Sequence, residues 1–204
     1  VVDDLSGTIE AQVHKHGRDM EVTARIGREV ATLYSIDSLL IQTINLICDE
    51  FGFYHAQVFL VDDAGINAVL AHSRGKAGQK LLEQDFKIPV GSTSIVGTVT
   101  GRKTYAVIND TKLRGDIPYK FNPLLPDTRA ELGLSLISGE QVIGALDIQS
   151  KETGAFKEED IPTFMLLADQ LAIAITNARL VNQSNKRIQQ IDQLNRQLTG
   201  SAWQ

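Results

Sequence analysis

Residues 89–110 read PVGSTSIVGTVTGRKTYAVIND, and the choice of fold rests on them. Gly91-Ser92-Thr93-Ser94 offers hydroxyls that can accept from the first free N–H groups of a helix. Ile95, Val96 and Val99 give that short helix an apolar face, and Gly101 can close it in a left-handed conformation. Thr104 to Ile108 then reads as a strand. Further on, PLLPDTRAELGLSLI (123–137) and GEQVIGALDIQS (139–150) contain two more strands, Leu132 to Ile137 and Val142 to Ile148. Ser138-Gly139-Glu140 between them is a hairpin signal.

Working outward, Ala56 to Val61 and Ala68 to His72 read as strands around the turn Asp62-Asp63-Ala64-Gly65. Arg74 to Gln79 reads as a polar loop and Asp85 to Pro89 as a third strand. Ser35 to Phe51 reads as a helix that Asp37 can cap, with Leu39, Leu40, Ile44, Ile47 and Phe51 on one face and Gly52 stopping it. Cys48 lies beside that face, as a buried structural thiol. The stretch from Asn109 to Arg129 is a long loop with Pro118, Pro123 and Pro126, and Tyr119 and Phe121 are its aromatics. Loops of this length in compact domains are functional lids or disordered, and the prolines and aromatics argue for an ordered lid. The last helix is expected from Glu158. Its acids favour the N-terminal dipole, and Pro162 is tolerable in the first turn. Ile161, Phe164, Met165, Ala168, Leu171, Ala172 and Ile175 give it a wide face for packing on a sheet. Beyond Asn177 the stripe narrows to Val181, Ile188, Ile191 and Leu198, as in paired helices.

At the other end, Leu5 to Leu33 reads as one long helix, with Ile9, Val13, His16 and Met20 in a narrow stripe. Either it packs on its own domain, or it enters from upstream and dimerises. Gly17 and Gly27 weaken it by about 1 kcal/mol each.

A chain of 204 residues can bury a sizeable core, and one domain with extensions is the natural count. A net charge of -5 gives no reason to expect nucleic-acid binding. One cysteine excludes an internal disulfide and fits a reducing, cytoplasmic setting. No apolar run reads as a membrane span or signal peptide, so no direct membrane contact is expected. The start at Val1-Val2 reads as a cut from a longer protein. His14 and His16 point to different sides of a helix, His55 and His72 stand apart, and no catalytic constellation or Walker loop is visible. No metal or cofactor is expected.

In their order, PVGSTSIVG, NDT, LLPDTRAEL, VIGALDIQS and LADQLAIAITNARL resemble the GAF family of small-molecule sensory domains over roughly Ile36 to Leu180. The resemblance implies an α+β fold. A central antiparallel sheet of five or six strands would carry helices on both faces, with the first and last helices sharing one. Domains would run 1–35 (signalling helix), 36–180 (GAF) and 181–204 (coiled-coil linker). The N-terminal segment resembles the end of a HAMP linker, which would place a membrane-bound half upstream. The family more often has Ser or Thr where Lys157 stands, so the N-cap of the last helix is weaker here.

The resemblance places a ligand between the sheet and the short helix, under the long loop. It implies as ligand-binding residues Ser94, Ile95 and Thr98 on the helix, Tyr105 on the strand, and Asn109 and Asp110 at its end. Tyr119 and Phe121 would lie on the lid, and Arg129 and Glu131 beyond it. The helix N-terminus favours an anionic group, an aromatic can stack on a flat ring, and Arg129 can clamp a carboxylate or phosphate. The alternatives are structural: Asn109 and Asp110 holding turns, and Arg129 bridging Glu131 across a strand face. Cyclic-nucleotide-binding members carry an Asn-Lys, Phe, Asp-Glu signature. Asn109, Lys112, Phe121, Asp127 and Glu131 echo it at different spacing, with Asp127 and Glu131 not adjacent. Bilin-binding members need a pocket cysteine, and none lies near the helix or loop. Haem-binding members need a pocket histidine, for which only His72 qualifies. Members that reduce oxidised methionine use several cysteines. The expected function is therefore a non-enzymatic sensor of a small molecule. It would act as a homodimer through its terminal helices on an output domain of the same chain, as in a histidine kinase of a two-component system or a chemoreceptor. The alternative is a ligand-free dimerisation and spacer module.

Overall fold

The computed structural model describes residues 36–113 and 115–201. The helix expected from Leu5 to Leu33, with His14 and His16, lies outside them. In chain order the elements are α1 (Ile36–Phe51), β1 (His55–Val61), β2 (Asn67–Ser73), α2 (Gly75–Glu83) and β3 (Lys87–Pro89). They continue with α3 (Ile95–Arg102), β4 (Tyr105–Ile108), β5 (Ala130–Ser138), β6 (Gln141–Ser150) and α4 (Ile161–Ser201). The strands form one six-stranded sheet in the order β3-β2-β1-β6-β5-β4. Every neighbouring pair is antiparallel. Residues Ile36–Leu180 make up one compact unit.

Strands β5 and β6 are buried along most of their length, so both faces of the sheet are covered. Side chains alternate between faces at period two. Val58, Leu132, Leu134, Leu146 and Ile148 face α1 and α4, meeting Leu40, Ile44, Phe164, Leu171 and Ile175. Phe59, Leu70 and Ala145 face the other way, toward Leu81 of α2, Ile95, Val96 and Val99 of α3, and Leu125 of the long loop. A fully buried side chain of this size is worth about 1.5–3 kcal/mol, so these two layers hold the sheet. Stacked Phe53 and Phe156, with ring centroids 5.1 Å apart, and Phe164, 5.5 Å from Phe53, tie the end of α1 to the start of α4.

The hairpin forms as expected: Ser138 pairs with Gln141, and Gly139 has φ 60°. Ser94 caps α3, its hydroxyl accepting from Gly97 N at 3.1 Å. Gly101 does not end that helix. It lies inside, where a Cβ would sit 2.7 Å from Gly91 Cα, and Lys103 takes the left-handed position with φ 55°. At Gly97 a Cβ would fall 2.7 Å from the Ser92 carbonyl oxygen. Both glycines are needed for close approach to the 91–92 turn.

Other expectations are corrected as well. The loop expected at Arg74–Gln79 is largely helix α2, because Leu81 reaches the core and Ala77 and Leu82 pack beside it. Asp37 lies within α1 among the described residues and does not cap it. Helix α4 starts at Ile161, after a turn closed by Asp160 N donating to Lys157 O at 3.0 Å. Finally, α4 is long and apolar enough by length and composition to cross a membrane (mean hydropathy 1.4 over part of Ile161–Ile191). The sheet-packing face of Ile161, Phe164, Ala168, Leu171, Ala172 and Ile175 supplies part of that apolarity, whereas Met165, expected on the same face, is exposed together with Leu166 and Ile173.

Candidate functional site

On the face away from α4, the sheet, α3 and the long loop enclose a cavity of about 360 Å³. Ser92, Ser94, Ile95 and Val96 form one wall and Tyr119 and Phe121 another, while Gln57, Glu131 and Gln149 come from β1, β5 and β6. The loop is anchored beside it. Leu125 is buried, Thr111 N donates to Arg129 O at 2.9 Å, and Thr111 Oγ1 donates to Thr128 O at 3.0 Å.

The floor is a buried polar network centred on Asp147, which is fully buried. The register places Gln57 opposite Asp147, and Gln149 opposite Glu131. Asp147 Oδ2 accepts from Gln57 Nε2 at 2.7 Å and from Gln149 Nε2 at 2.8 Å. Those bonds orient everything beyond. Gln149 Oε1 accepts from Thr128 Oγ1 at 2.6 Å, and Gln57 Oε1 accepts from Ser73 Oγ at 3.3 Å. Ser73 has one proton to give, so His55 Nε2, 3.0 Å away, donates to it. Burial holds the His55 pKa down to about 4, so the ring is neutral at physiological pH.

Asp147 Oδ1 is buried without a partner. Beside it stands Glu131, 8% exposed and lining the cavity. Burial pushes the Glu131 carboxyl well above the ordinary range, and the nearby Asp147 charge pushes it further. Asp147 is also raised by burial, partly offset by the bonds it receives from Gln149 and Gln57. Two carboxyls this close cannot both ionise cheaply, so the pair shares one proton. Burial, and then these same two acids, push the Tyr119 phenol up.

Ser94, Ile95, Tyr119, Phe121 and Glu131 thus meet at one cavity. The other five expected residues lie outside its lining. Thr98 borders a separate hollow of about 310 Å³ with Ser92 and Asp116. Tyr105 is exposed on the edge strand β4. Asn109 is a clasp: its Nδ2 donates to Phe156 O at 2.8 Å and its Oδ1 accepts from Phe156 N at 3.1 Å. Arg129 pairs with Asp110 at 3.0 Å rather than with Glu131, whose charged neighbour is Asp147. His72 faces α1, where Asp37 acts on it, so it is not placed to ligate a haem in the cavity. Gln57, Asp147 and Gln149 were missed. Their signal was present in VIGALDIQS and HAQVFLV, as polar residues two apart within apolar strands. A wider basin of about 750 Å³ lies beside Phe53 and Phe164, and its charged residues, Lys151, Glu152, Lys157 and Asp160, are all exposed. No cluster of metal-ligand type occurs among the described residues.

A GAF-domain family model matches residues 34–176. The chain belongs to the GAF family. Its fold is shared with the GAF domain of a phosphoenolpyruvate-protein phosphotransferase from Coxiella burnetii (TM-score 0.64, 23% identity, 78% of this chain and 96% of that one). It is likewise similar to the free methionine-R-sulfoxide reductase of Neisseria meningitidis, solved in complex with its substrate (TM-score 0.60, 23% identity, covering 77% and 87%). A methyl-accepting chemotaxis protein, residues 122 to 287, also matches this GAF domain (TM-score 0.60, 16% identity, covering 76% and 98%). No curated protein matches in sequence. GAF domains are typically sensory or regulatory, and the reductase shows that the fold also serves enzymes.

Proposed function

We propose that this GAF domain is a regulatory sensor that binds a small molecule in the cavity beneath the long loop. It would act within a dimeric, cytoplasmic signalling chain on an output domain of the same chain. The observation that carries the reading is the acidic floor: Glu131 lines a cavity of about 360 Å³ with the fully buried Asp147 behind it. That volume lies in the range of small-molecule sites, roughly 300–1,000 Å³. A domain that only spaces its neighbours gains nothing from two buried carboxyls, since apolar side chains would fill the space at lower cost. Strongly perturbed acids beside a cavity are the pattern of a working site.

The cavity and α4 lie on opposite faces of the sheet, so coupling between them runs through β6. Asp147 belongs to the cavity side, while Leu146 and Ile148 pack with α4. A ligand that shifts β6 biases the seat of α4, and about 1–3 kcal/mol of differential binding is enough to signal. Leu166, Ile173 and Leu180 recur every seven residues on α4 with their side chains exposed, as a pairing seam requires. The likeness to a chemotaxis protein supports the signalling setting. The likeness to a reductase solved with its substrate supports a small-molecule site. Against an enzyme of that kind stands Cys48, the one cysteine, which is buried in α1 on the far face. Burial pushes its thiol up, away from the reactive thiolate.

Native mass spectrometry of protein purified from cells, followed by calorimetry with the released compound, tests the proposal. A stoichiometric small molecule whose binding is lost on filling the cavity with Ser94→Trp supports it. Protein that carries nothing and takes up nothing from a metabolite extract establishes the spacer instead.

A further inference from the structure

The cavity floor has an unbalanced charge inventory. Glu131 on β5 and Asp147 on β6 meet there, and none of the ion pairs among the described residues includes either carboxyl. The groups facing them from other elements do not neutralise them. His55 on β1 is held neutral by burial, with its pKa at about 4. Tyr119 on the loop is uncharged, its phenol pushed further up by the two acids. Lys87 on β3 and Lys120 on the loop line the cavity but are exposed, so solvent screens them from the floor. The donors of the floor are already used: both amide nitrogens, from Gln57 and Gln149, are spent on the same oxygen of Asp147. Asp147 Oδ1 is left without a partner, at 0% exposure. Glu131 therefore offers an acceptor to whatever enters, with the negative potential of the buried Asp147 behind it, and the floor lacks a cation.

We propose that the floor is a recognition site for an organic cation bearing N–H donors, an alkylammonium or guanidinium group, held by Glu131, with Asp147 behind it, beneath the Tyr119–Phe121 lid. The proposal rests on the sensory reading of the same cavity and names the ligand class. The ligand's N–H groups supply the donors that the acids lack, and its charge replaces the proton now lying between them. Per ligand bound, up to one proton leaves for solvent: the Glu131 carboxyl ionises as the cation arrives, and no covalent bond changes. A neutral donor would bring no positive charge to the acid pair, and an anion would be repelled. The aromatic rings of Tyr119 and Phe121 add a face that favours a cation over an anion.

The test uses the full 204-residue chain, isotope-labelled, with four probes of similar size: propylammonium, tetramethylammonium, propionate and propanol. Nuclear magnetic resonance follows the side-chain amides of Gln57 and Gln149 and the backbone of Glu131. The expected result is a saturable shift with propylammonium, at least tenfold tighter than with tetramethylammonium, which has the charge but no N–H. Affinity should rise with pH by up to tenfold per unit until the acid pair has titrated. Glu131→Gln should lose at least tenfold in affinity and all of the pH dependence, with the rest of the spectrum unchanged. Equal response to tetramethylammonium, a pH-independent response, or full retention in the variant would overturn the proposal. Shifts with propanol or propionate while propylammonium is inert overturn the ligand class and leave the cavity a binding site. Silence from all four probes overturns both.

Discussion

Glu131→Gln should stabilise the ligand-free protein, and by an amount that grows with pH. In the native state Glu131 is 8% exposed, and burial followed by the Asp147 charge raises its pKa well above the unfolded value. The sign follows from proton counting. Between about 4.3, the ordinary glutamate value, and the raised native value, the folded protein holds a proton that the unfolded chain has released. The Glu131 contribution is therefore fully present below the unfolded pKa and is lost as pH rises through the folded one. The loss is about 1.4 kcal/mol per pH unit across that window. Glutamine cannot ionise, and its amide offers the neighbouring Asp147 carboxylate an N–H donor. The advantage of the variant should then start near zero at the acid end, climb at that slope, and level off above the native pKa. For a domain of this size each pH unit corresponds to roughly 3–6 °C in Tm. Urea denaturation of both proteins at half-unit steps from pH 4 to pH 8 measures it. Parallel stability profiles, or a variant weaker at every pH, would refute the buried, proton-sharing pair.

Three other perturbations address separate parts of the fold. Asn109→Ala removes both hydrogen bonds to the Phe156 backbone and should cost about 1–3 kcal/mol, read by denaturant melts, with faster amide exchange at Phe156. Gly97→Ala should destabilise by about 1–3 kcal/mol although alanine is the better helix former, because its Cβ would fall 2.7 Å from the Ser92 carbonyl oxygen. A neutral or stabilising result in thermal melts would show that the 91–92 turn gives way freely. Ile188→Lys with Ile191→Lys, at two exposed apolar positions of α4, should weaken self-association while leaving the melting of the core unchanged. Sedimentation equilibrium unaffected by the pair would remove the coiled-coil pairing.

Local signals were enough for the sheet. Period-two patterning in β1, β2, β5 and β6, the glycine at 139 and the stop at Gly52 depend on neighbours a few residues away, and they read correctly. Helix α2 was hidden because Gly75 and Gly78 argue against helix locally, and only the buried Leu81 and the tight seat of Gly78 against Ser73 reward it. Gly101 was taken for a terminator for the same reason. A glycine that permits a left-handed turn and one that permits close packing look alike in a chain.

The site divides along the same line. By itself, the order of short contiguous segments carried the family resemblance, and the resemblance implied a cavity wall at Ser94 and Ile95 and a loop over it with Tyr119 and Phe121, all four of which line the cavity. Tertiary structure alone decided which polar residues meet. Gln57, Glu131, Asp147 and Gln149 come from three strands, and strand register brings them together. It also sent Arg129 to Asp110 and turned Asn109 into a clasp on Phe156. The physical reason is range. Propensity and periodicity act over a few residues, whereas the protonation of Glu131 depends on a carboxylate from the neighbouring strand and on water excluded by a loop, an α-helix and the sheet together.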